Sequence, residues 1–320
     1  MRNRTLAVLA MASATVLSVC AQSPGAVKWG DVLQQPTEWY SSETGRKVAD
    51  NILLYQRPSG GWPKDVDMTV PPVAPAPSRP DATIDNGATT TQIRVLSQVS
   101  GEPYRTAALR GIDYLLAAQY PNGGWPQFYP LRTDYSRHIT FNDNAMINAA
   151  MLLREIAAGQ PPFTYVDGDR RSRAADAVRR ATAIIVKMQV PVNGTLTAWC
   201  AQHDAVTLEP RPARAYEHVS LSGAETTGIV RFLMTQPSSP DVERAIDAAV
   251  AWLTMVRLPD GQWARFYEIG TNRPIFSGRD GIVRYQLSEI EQERRDGYSW
   301  LGTWPRNLIE KEYPRWKSRR

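Results

Sequence analysis

A short pattern recurs four times along this 320-residue chain, and few folds accommodate it. It first reads Ile52-Leu53-Leu54-Tyr55-Gln56, then a turn, then Gly60-Gly61-Trp62-Pro63-Lys64. It returns as Tyr114-Leu115-Leu116-Ala117-Ala118-Gln119 followed by Gly123-Gly124-Trp125-Pro126-Gln127. A degraded copy runs through Met188-Gln189, Asn193-Gly194 and Trp199. The last goes from Trp252-Leu253 to Arg257 and on to Asp260-Gly261-Gln262-Trp263-Ala264-Arg265. Successive copies lie about sixty to seventy residues apart, a period suited to two helices with generous loops.

Between the copies, apolar residues recur at helical spacing over 85–99 and 103–118, over 143–157 and 170–188, and over 222–234 and 241–256. This predicts three helical hairpins of like register. Packed so that each inner helix touches its neighbours, they close into an all-α (α/α)3 toroid with long irregular loops. The repeat glycines suit helix C-caps, where the backbone needs a left-handed conformation. Pro71, Pro72, Pro75, Pro77 and Pro80 make the segment between Asp65 and Asp81 a stiff crossover. Beyond Trp263, Phe266-Tyr267-Glu268-Ile269, a Gly270-Thr271-Asn272 turn and Pro274-Ile275-Phe276 predict a short β-hairpin.

The chain opens with Arg2 and Arg4, an apolar run from Leu6 to Val19, and Val19-Cys20-Ala21. That is the pattern of a secretory signal peptide over residues 1–21, too short in its apolar part to span a bilayer. Leu17, three positions before Cys20, leaves lipidation at Cys20 as the alternative. The expected mature chain, residues 22–320, is a single catalytic domain and a monomer, secreted or periplasmic, with no membrane span. It keeps only Cys200, so no intramolecular disulfide forms and stability rests on a core, which roughly 300 residues can bury. The formal charge of +5 falls further once Arg2 and Arg4 are removed. This mild excess suits an anionic ligand without demanding one. The basic residues are interspersed with acids, which argues against nucleic acid as a partner.

Asp85-Asn86 opens the first helix of one predicted hairpin and Asp143-Asn144 that of the next. In a ring of equivalent hairpins, equivalent helix starts share a rim, so two hard carboxylate ligands approach one mouth. Glu225 holds a similar place in the third hairpin. Aspartate at a helix start is also an ordinary N-cap that needs no metal. Arg211, Arg214, Arg265 and Arg279 stand on proline- or glycine-bounded loops and suit bidentate binding of carboxylates, which makes a polyanionic, carboxylate-bearing chain a fitting ligand. His138, His203 and His218 form no zinc-binding spacing, and neither a Gly-x-Ser-x-Gly elbow nor a phosphate-binding glycine loop occurs.

The stretches Thr83-Ile84-Asp85-Asn86-Gly87-Ala88-Thr89, Phe141-Asn142-Asp143-Asn144-Ala145-Met146, Ala213-Arg214-Ala215-Tyr216-Glu217 and Tyr298-Ser299-Trp300-Leu301-Gly302 together resemble the family-ten pectate lyases, over essentially the whole mature chain. The resemblance implies the three-hairpin toroid, Ca²⁺ bound through substrate and aspartates, and an arginine base. Carried over by motif, it implies Asp85 and Asp143 at the metal and substrate centre, with Asn86 beside them. Arg214 becomes the base, with Arg211 as the alternative, and Arg265 and Arg279 hold uronate groups. Asp204 and His203 are further polar candidates. The repeat tryptophans either pack on their own helix ends or stack on sugar rings at the mouth.

The expected reaction is cleavage of polygalacturonate by Ca²⁺-assisted β-elimination to 4,5-unsaturated oligogalacturonates. The C5 proton beside a uronate carboxylate becomes acidic once the developing charge is stabilised. No water is added, in contrast to hydrolysis by paired carboxylates. An arginine base implies an alkaline optimum, because a pKa of about 12 or more leaves little neutral guanidine near neutrality. Three rivals remain. A hydrolase of uronic-acid polysaccharides on a related toroid would form no conjugated product. Terpenoid cyclases share the Gln and Gly-x-Trp helix ends but need an aspartate-rich protonating motif. A non-catalytic polysaccharide-binding module would bind without converting its ligand.

Overall fold

The computed structural model describes residues 27–75, 77 and 80–320, so the signal peptide read at residues 1–21 and the lipidation alternative at Cys20 lie outside the described residues. Helices α1 (Glu43–Tyr55), α2 (Thr90–Gln98), α3 (Glu102–Ala118), α4 (Ala145–Ala158), α5 (Gly168–Met188), α6 (Glu225–Met234) and α7 (Pro240–Met255) carry the fold. Two short helices, α8 (Gln292–Asp296) and α9 (Tyr313–Lys317), follow. The helices pair as α2 with α3, α4 with α5 and α6 with α7, the three hairpins expected from the periodicity. The first helices of the hairpins, α2, α4 and α6, touch in succession as one row, and α1, α3, α5 and α7 form a second row. No helix among the described residues is long and apolar enough to cross a membrane.

The repeat is a device for tying one outer helix to the next. Gln56, at the end of α1, donates its amide to Gly60 O in its own turn and to Ala107 O on α3, both at 2.8 Å. Gln119, after α3, does the same to Gly123 O at 3.0 Å and Ala177 O on α5 at 2.9 Å. Gln189, after α5, reaches Thr197 O and Ala245 O on α7, both at 2.9 Å. The fourth copy has Arg257 in place of glutamine. Gly60 and Gly123 are required twice over. Their φ values of +97° and +103° are left-handed, and a Cβ would stand 2.4 Å from Arg110 O on α3 or 2.5 Å from Arg180 O on α5.

Each repeat tryptophan folds back under the helix that precedes it. The indole N–H groups of Trp62, Trp125, Trp199 and Trp263 donate to Ile52, Leu115, Ile185 and Leu253 carbonyls at 2.7–2.8 Å. All four rings are fully buried. They are therefore packing residues that satisfy open helix-end carbonyls while burying a large apolar surface, and they present no face to a sugar.

The inner helices begin later than their periodicity suggests, at Thr90, Ala145 and Glu225. Short 3-10 turns precede two of them, Asp85–Gly87 and Asn142–Asn144, each containing left-handed residues. The N-cap residues of α2, α4 and α6 make no side-chain cap bond, whereas Ser42, Asp167 and Ser239 cap α1, α5 and α7. Asp85 and Asp143 are thus not spent on capping.

Strands are two residues long. The predicted hairpin after Trp263 is present as a bonded turn, with Ile275 N–H donating to Phe266 O and Glu268 N–H to Arg273 O. Regular pairing, however, joins Phe266–Tyr267 to Leu221–Ser222 and Phe276–Ser277 to Val283–Arg284. A satellite cluster of Ala201, Tyr216, Phe266, Ile275, Phe276, Ile290 and Trp300 anchors these loops beside the main core.

Candidate active site

Two turns at the starts of the inner helices touch each other and carry the acids. In the first, Asp85 N–H donates to Thr83 Oγ1 at 3.1 Å; in the second, Asn142 N–H donates to Thr140 Oγ1 at 3.3 Å. The next residue is left-handed in both, Asn86 at φ 49°, ψ 33° and Asp143 at φ 49°, ψ 32°. The structural register therefore equates Asp85 with Asn142 and Asn86 with Asp143. Matching the two Asp-Asn pairs directly is off by one residue. The same left-handed geometry that Asn and Asp tolerate turns Asn86 outward, where its amide donates to Asp65 at 2.8 Å, and leaves Asp143 at the cleft edge.

Three of the donors that meet these acids come from the repeat itself, each two residues after its tryptophan. Lys64 Nζ and Gln127 Nε2 both reach Asp85 Oδ2, at 2.6 and 2.5 Å. Arg265 Nη2 donates to Asp143 Oδ1 at 2.8 Å and to Glu225 Oε1 at 2.5 Å. Asn142 Nδ2 holds the other Asp143 oxygen at 2.7 Å. Lys64 and Gln127 were absent from the sequence-derived set, although their placement after Trp62 and Trp125, matching that of Arg265 after Trp263, was readable. Glu225 is buried and also accepts from the Ser222 hydroxyl. Asp85 Oδ1 and Asn142 Oδ1 are buried with no hydrogen-bond partner. Asp143 is the open one, its side chain 38% exposed against 2% for Asp85.

Burial lowers the Lys64 ammonium, but the bonds and charges of Asp85 and Asp65 outweigh it and leave its pKa above the ordinary lysine value. Arg265 follows the same pattern: burial lowers it, and Glu225 and Asp143 raise it further still. Both cations stay charged.

Arg214 stands in a tight turn closed by Glu217 N–H to Arg214 O at 2.8 Å and Ala213 N–H to Glu217 O at 3.0 Å. The buried Glu217 carboxylate doubles back on the guanidinium, accepting Nε at 2.8 Å and Nη2 at 2.5 Å. This bond raises the Arg214 pKa above its usual value, although partial burial opposes it. Tyr298 connects the two halves of the site. Its hydroxyl donates to Glu217 Oε1 at 2.8 Å, while its ring lies 5.7 Å from the Arg214 guanidinium and 5.1 Å from that of Arg265.

The other candidates bond none of these acids. Arg279 is exposed and paired with Glu293 through Nε and Nη2. Arg211 bonds Asp204 at 3.2 Å, and Asp204, whose carboxylate accepts the Thr207 and Val206 N–H groups, falls to a pKa of about 2. His203 accepts Cys200 N–H at Nε2 and donates from Nδ1 to Leu208 O, and burial takes its pKa to about 4. It is a neutral structural residue. Among the described residues no group of three or more His, Cys, Asp or Glu side chains could hold a metal unaided. A groove of about 970 Å³ runs between α5 and the α6–α7 turn past Val178, Val186 and Pro237, and it contains none of these groups.

Residues 56–262 and 255–309 match the family described as pectic acid lyase. No curated protein matches the chain. Among solved structures, the family 10 polysaccharide lyase from Cellvibrio cellulosa is 36% identical, with a TM-score of 0.77 over 87% of this chain and 94% of that one. A mutant of that lyase in complex with trigalacturonic acid gives 36% identity and a TM-score of 0.78, covering 87% of this chain and 95% of that one. A type II terpene cyclase from Scytonema, at 18% identity and a TM-score of 0.39 over 70% of this chain and 52% of that one, is too distant to bear on the fold.

Proposed function

The chain belongs to the pectic acid lyase family, and we propose that this polysaccharide lyase cleaves polygalacturonate by Ca²⁺-assisted β-elimination, leaving 4,5-unsaturated oligogalacturonates. The observation that carries the reading is the meeting of two acid-bearing turns, Asp85 and Asn142-Asp143, with the guanidinium of Arg265 at one place. The related lyase complexed with trigalacturonic acid supports an oligogalacturonate as substrate. We read the two rows of helices as an (α/α)3 toroid forming one catalytic domain, exported by the segment at residues 1–21 and acting as a monomer.

The donor set fits Ca²⁺. Asp143, Asp85 Oδ1 and Asn142 Oδ1 are hard oxygens, and two of them are buried without a partner. Because no three such acids cluster among the described residues, a substrate carboxylate and water would have to complete the shell. Bound there, calcium supplies positive charge at the uronate C6 carboxylate, where negative charge builds as the C5 proton leaves.

Lys64 and Gln127 fix Asp85, and Arg265 fixes Asp143, so the oxygens are held in place before substrate arrives. Arg214 is the proposed base, in its neutral form. Arg279 reaches substrate only by exchanging Glu293 for a uronate. Asn86, turned toward Asp65, lines the outer edge of the substrate path. Purified protein incubated with polygalacturonate, with and without calcium, tests the reading: new ultraviolet absorbance from a conjugated product is expected only with the ion. Reducing ends that appear without that absorbance would instead mean hydrolysis.

A further inference from the structure

Glu217 and Tyr298 belong to sequence motifs with no role so far assigned, yet every side-chain hydrogen bond they make leads to Arg214, directly or through Glu217. The turn of residues 213–217 brings the Glu217 carboxylate onto one edge of the guanidinium, where Nε and Nη2 both donate. The Arg214 backbone N–H donates to the same carboxylate at 3.2 Å. Tyr298 adds a fourth donor and keeps Glu217 Oε1 from rotating away. Glu217 is 3% exposed, while the Arg214 side chain is 42% exposed. The buried edge of the guanidinium is thus fully engaged. Nη1 makes no hydrogen bond among the described residues, so it is the nitrogen available to the cleft.

We propose that Glu217 is the positioning residue for the base. It holds the two N–H groups on Nε and Nη2, so that neutral Arg214 carries its lone pair on Nη1. This rests on the reading of Arg214 as base. A neutral guanidine can place its lone pair on any of three nitrogens; Glu217 holds the one hydrogen of Nε and one of the two on Nη2, which leaves the unbonded Nη1 the freest to carry it. An aspartate that fixes the tautomer of a catalytic histidine works by the same logic. In the step itself the C5–H bond breaks and its proton goes to Nη1, giving guanidinium. The released electron pair forms the C4–C5 double bond, and the C4–O bond breaks with its pair on the glycosidic oxygen, which takes a proton from water. Arg214 then returns its proton to solvent. Tyr298 acts through Glu217 and fixes its orientation.

The test compares wild type, E217Q, Y298F, R214A and the E217Q/R214A double variant for kcat and KM on polygalacturonate, at a temperature well below each melting point. E217Q should lower kcat by about 100-fold or more with KM within threefold, because its amide accepts from only one of the two donors. Y298F should lower kcat by roughly three- to tenfold with KM unchanged, and it stands in for E217Q should that variant not fold. The double variant should be no slower than R214A, since both changes remove one unit. Kcat of E217Q within threefold of wild type, or losses that multiply in the double variant, would overturn the proposal. Wild type that forms no unsaturated product would sink the lyase mechanism instead. Normal turnover by R214A, with unsaturated product formed by wild type, would remove only Arg214 as base.

Discussion

Replacing Arg265 with methionine should be among the most damaging single changes outside the apolar core. The arginine side chain is 10% exposed and that of Glu225 2%, so the pair is shielded from water, whereas Asp143 remains open. R265M leaves the Glu225 carboxylate buried with only the Ser222 hydroxyl and a long bond of 3.4 Å from the Asp143 N–H. Stranding one member of a buried ion pair costs about 3–5 kcal/mol. At roughly 2 °C per kcal/mol for a chain of this size, Tm should fall by about 6–10 °C in a calorimetric scan. The double variant R265M/E225Q removes the stranded charge as well and should recover at least half of that loss. A fall of less than about 2 °C for R265M, or a double variant no more stable than the single one, would refute the view that Arg265 neutralises a buried carboxylate.

Q119A removes the amide that joins α3 to α5 and leaves Gly123 O without its donor. Urea unfolding should show a loss of about 2–4 kcal/mol, with kcat unaffected while the protein is folded. If neutral Arg214 is the base, its raised pKa means that kcat should climb about tenfold per pH unit from pH 7 to pH 10, because the neutral fraction grows as pH approaches the pKa from below. A flat profile across that range would exclude it. Treatment with a chelator should abolish formation of unsaturated product, and added Ca²⁺ should restore it; D143A should require far more Ca²⁺ than wild type for half-maximal rate.

The hairpins were legible because the inner and outer helices keep a 3.6-residue apolar period, and because glutamine, glycine and tryptophan punctuate each outer helix at fixed offsets. That Asp85 and Asp143 lie on adjacent turns was legible from the same repetition. Their register was not. Both segments contain Asp-Asn, but alignment is set by hydroxyls two residues before Asp85 and Asn142, and the bonds accepted by Thr83 and Thr140, with the matching left-handed Asn86 and Asp143, disclose it. Lys64 and Gln127 were visible as residues two past a tryptophan and went unnoticed because a lysine and a glutamine share no chemistry with an arginine until all three are seen donating to carboxylates. Arg279 looked equivalent to Arg265 as a loop arginine. Its surface pairing with Glu293 depends on where α8 packs, which no local pattern encodes.

The donors of the site sit on turns that leave the outer helices, and most of the acids sit on turns that enter the inner ones. Lys64 and Arg265 come from the outer row and Asp85, Asp143 and Glu225 from the inner one, so the bonds between them form only when the rows meet. A partly folded chain with every helix formed but its rows still apart would be chemically inert, and only complete docking creates a surface able to recognise an acidic sugar. Product formation in this protein is therefore a stricter gauge of correct assembly than helix content, and a bound oligosaccharide should act as a clasp across the seam between the rows.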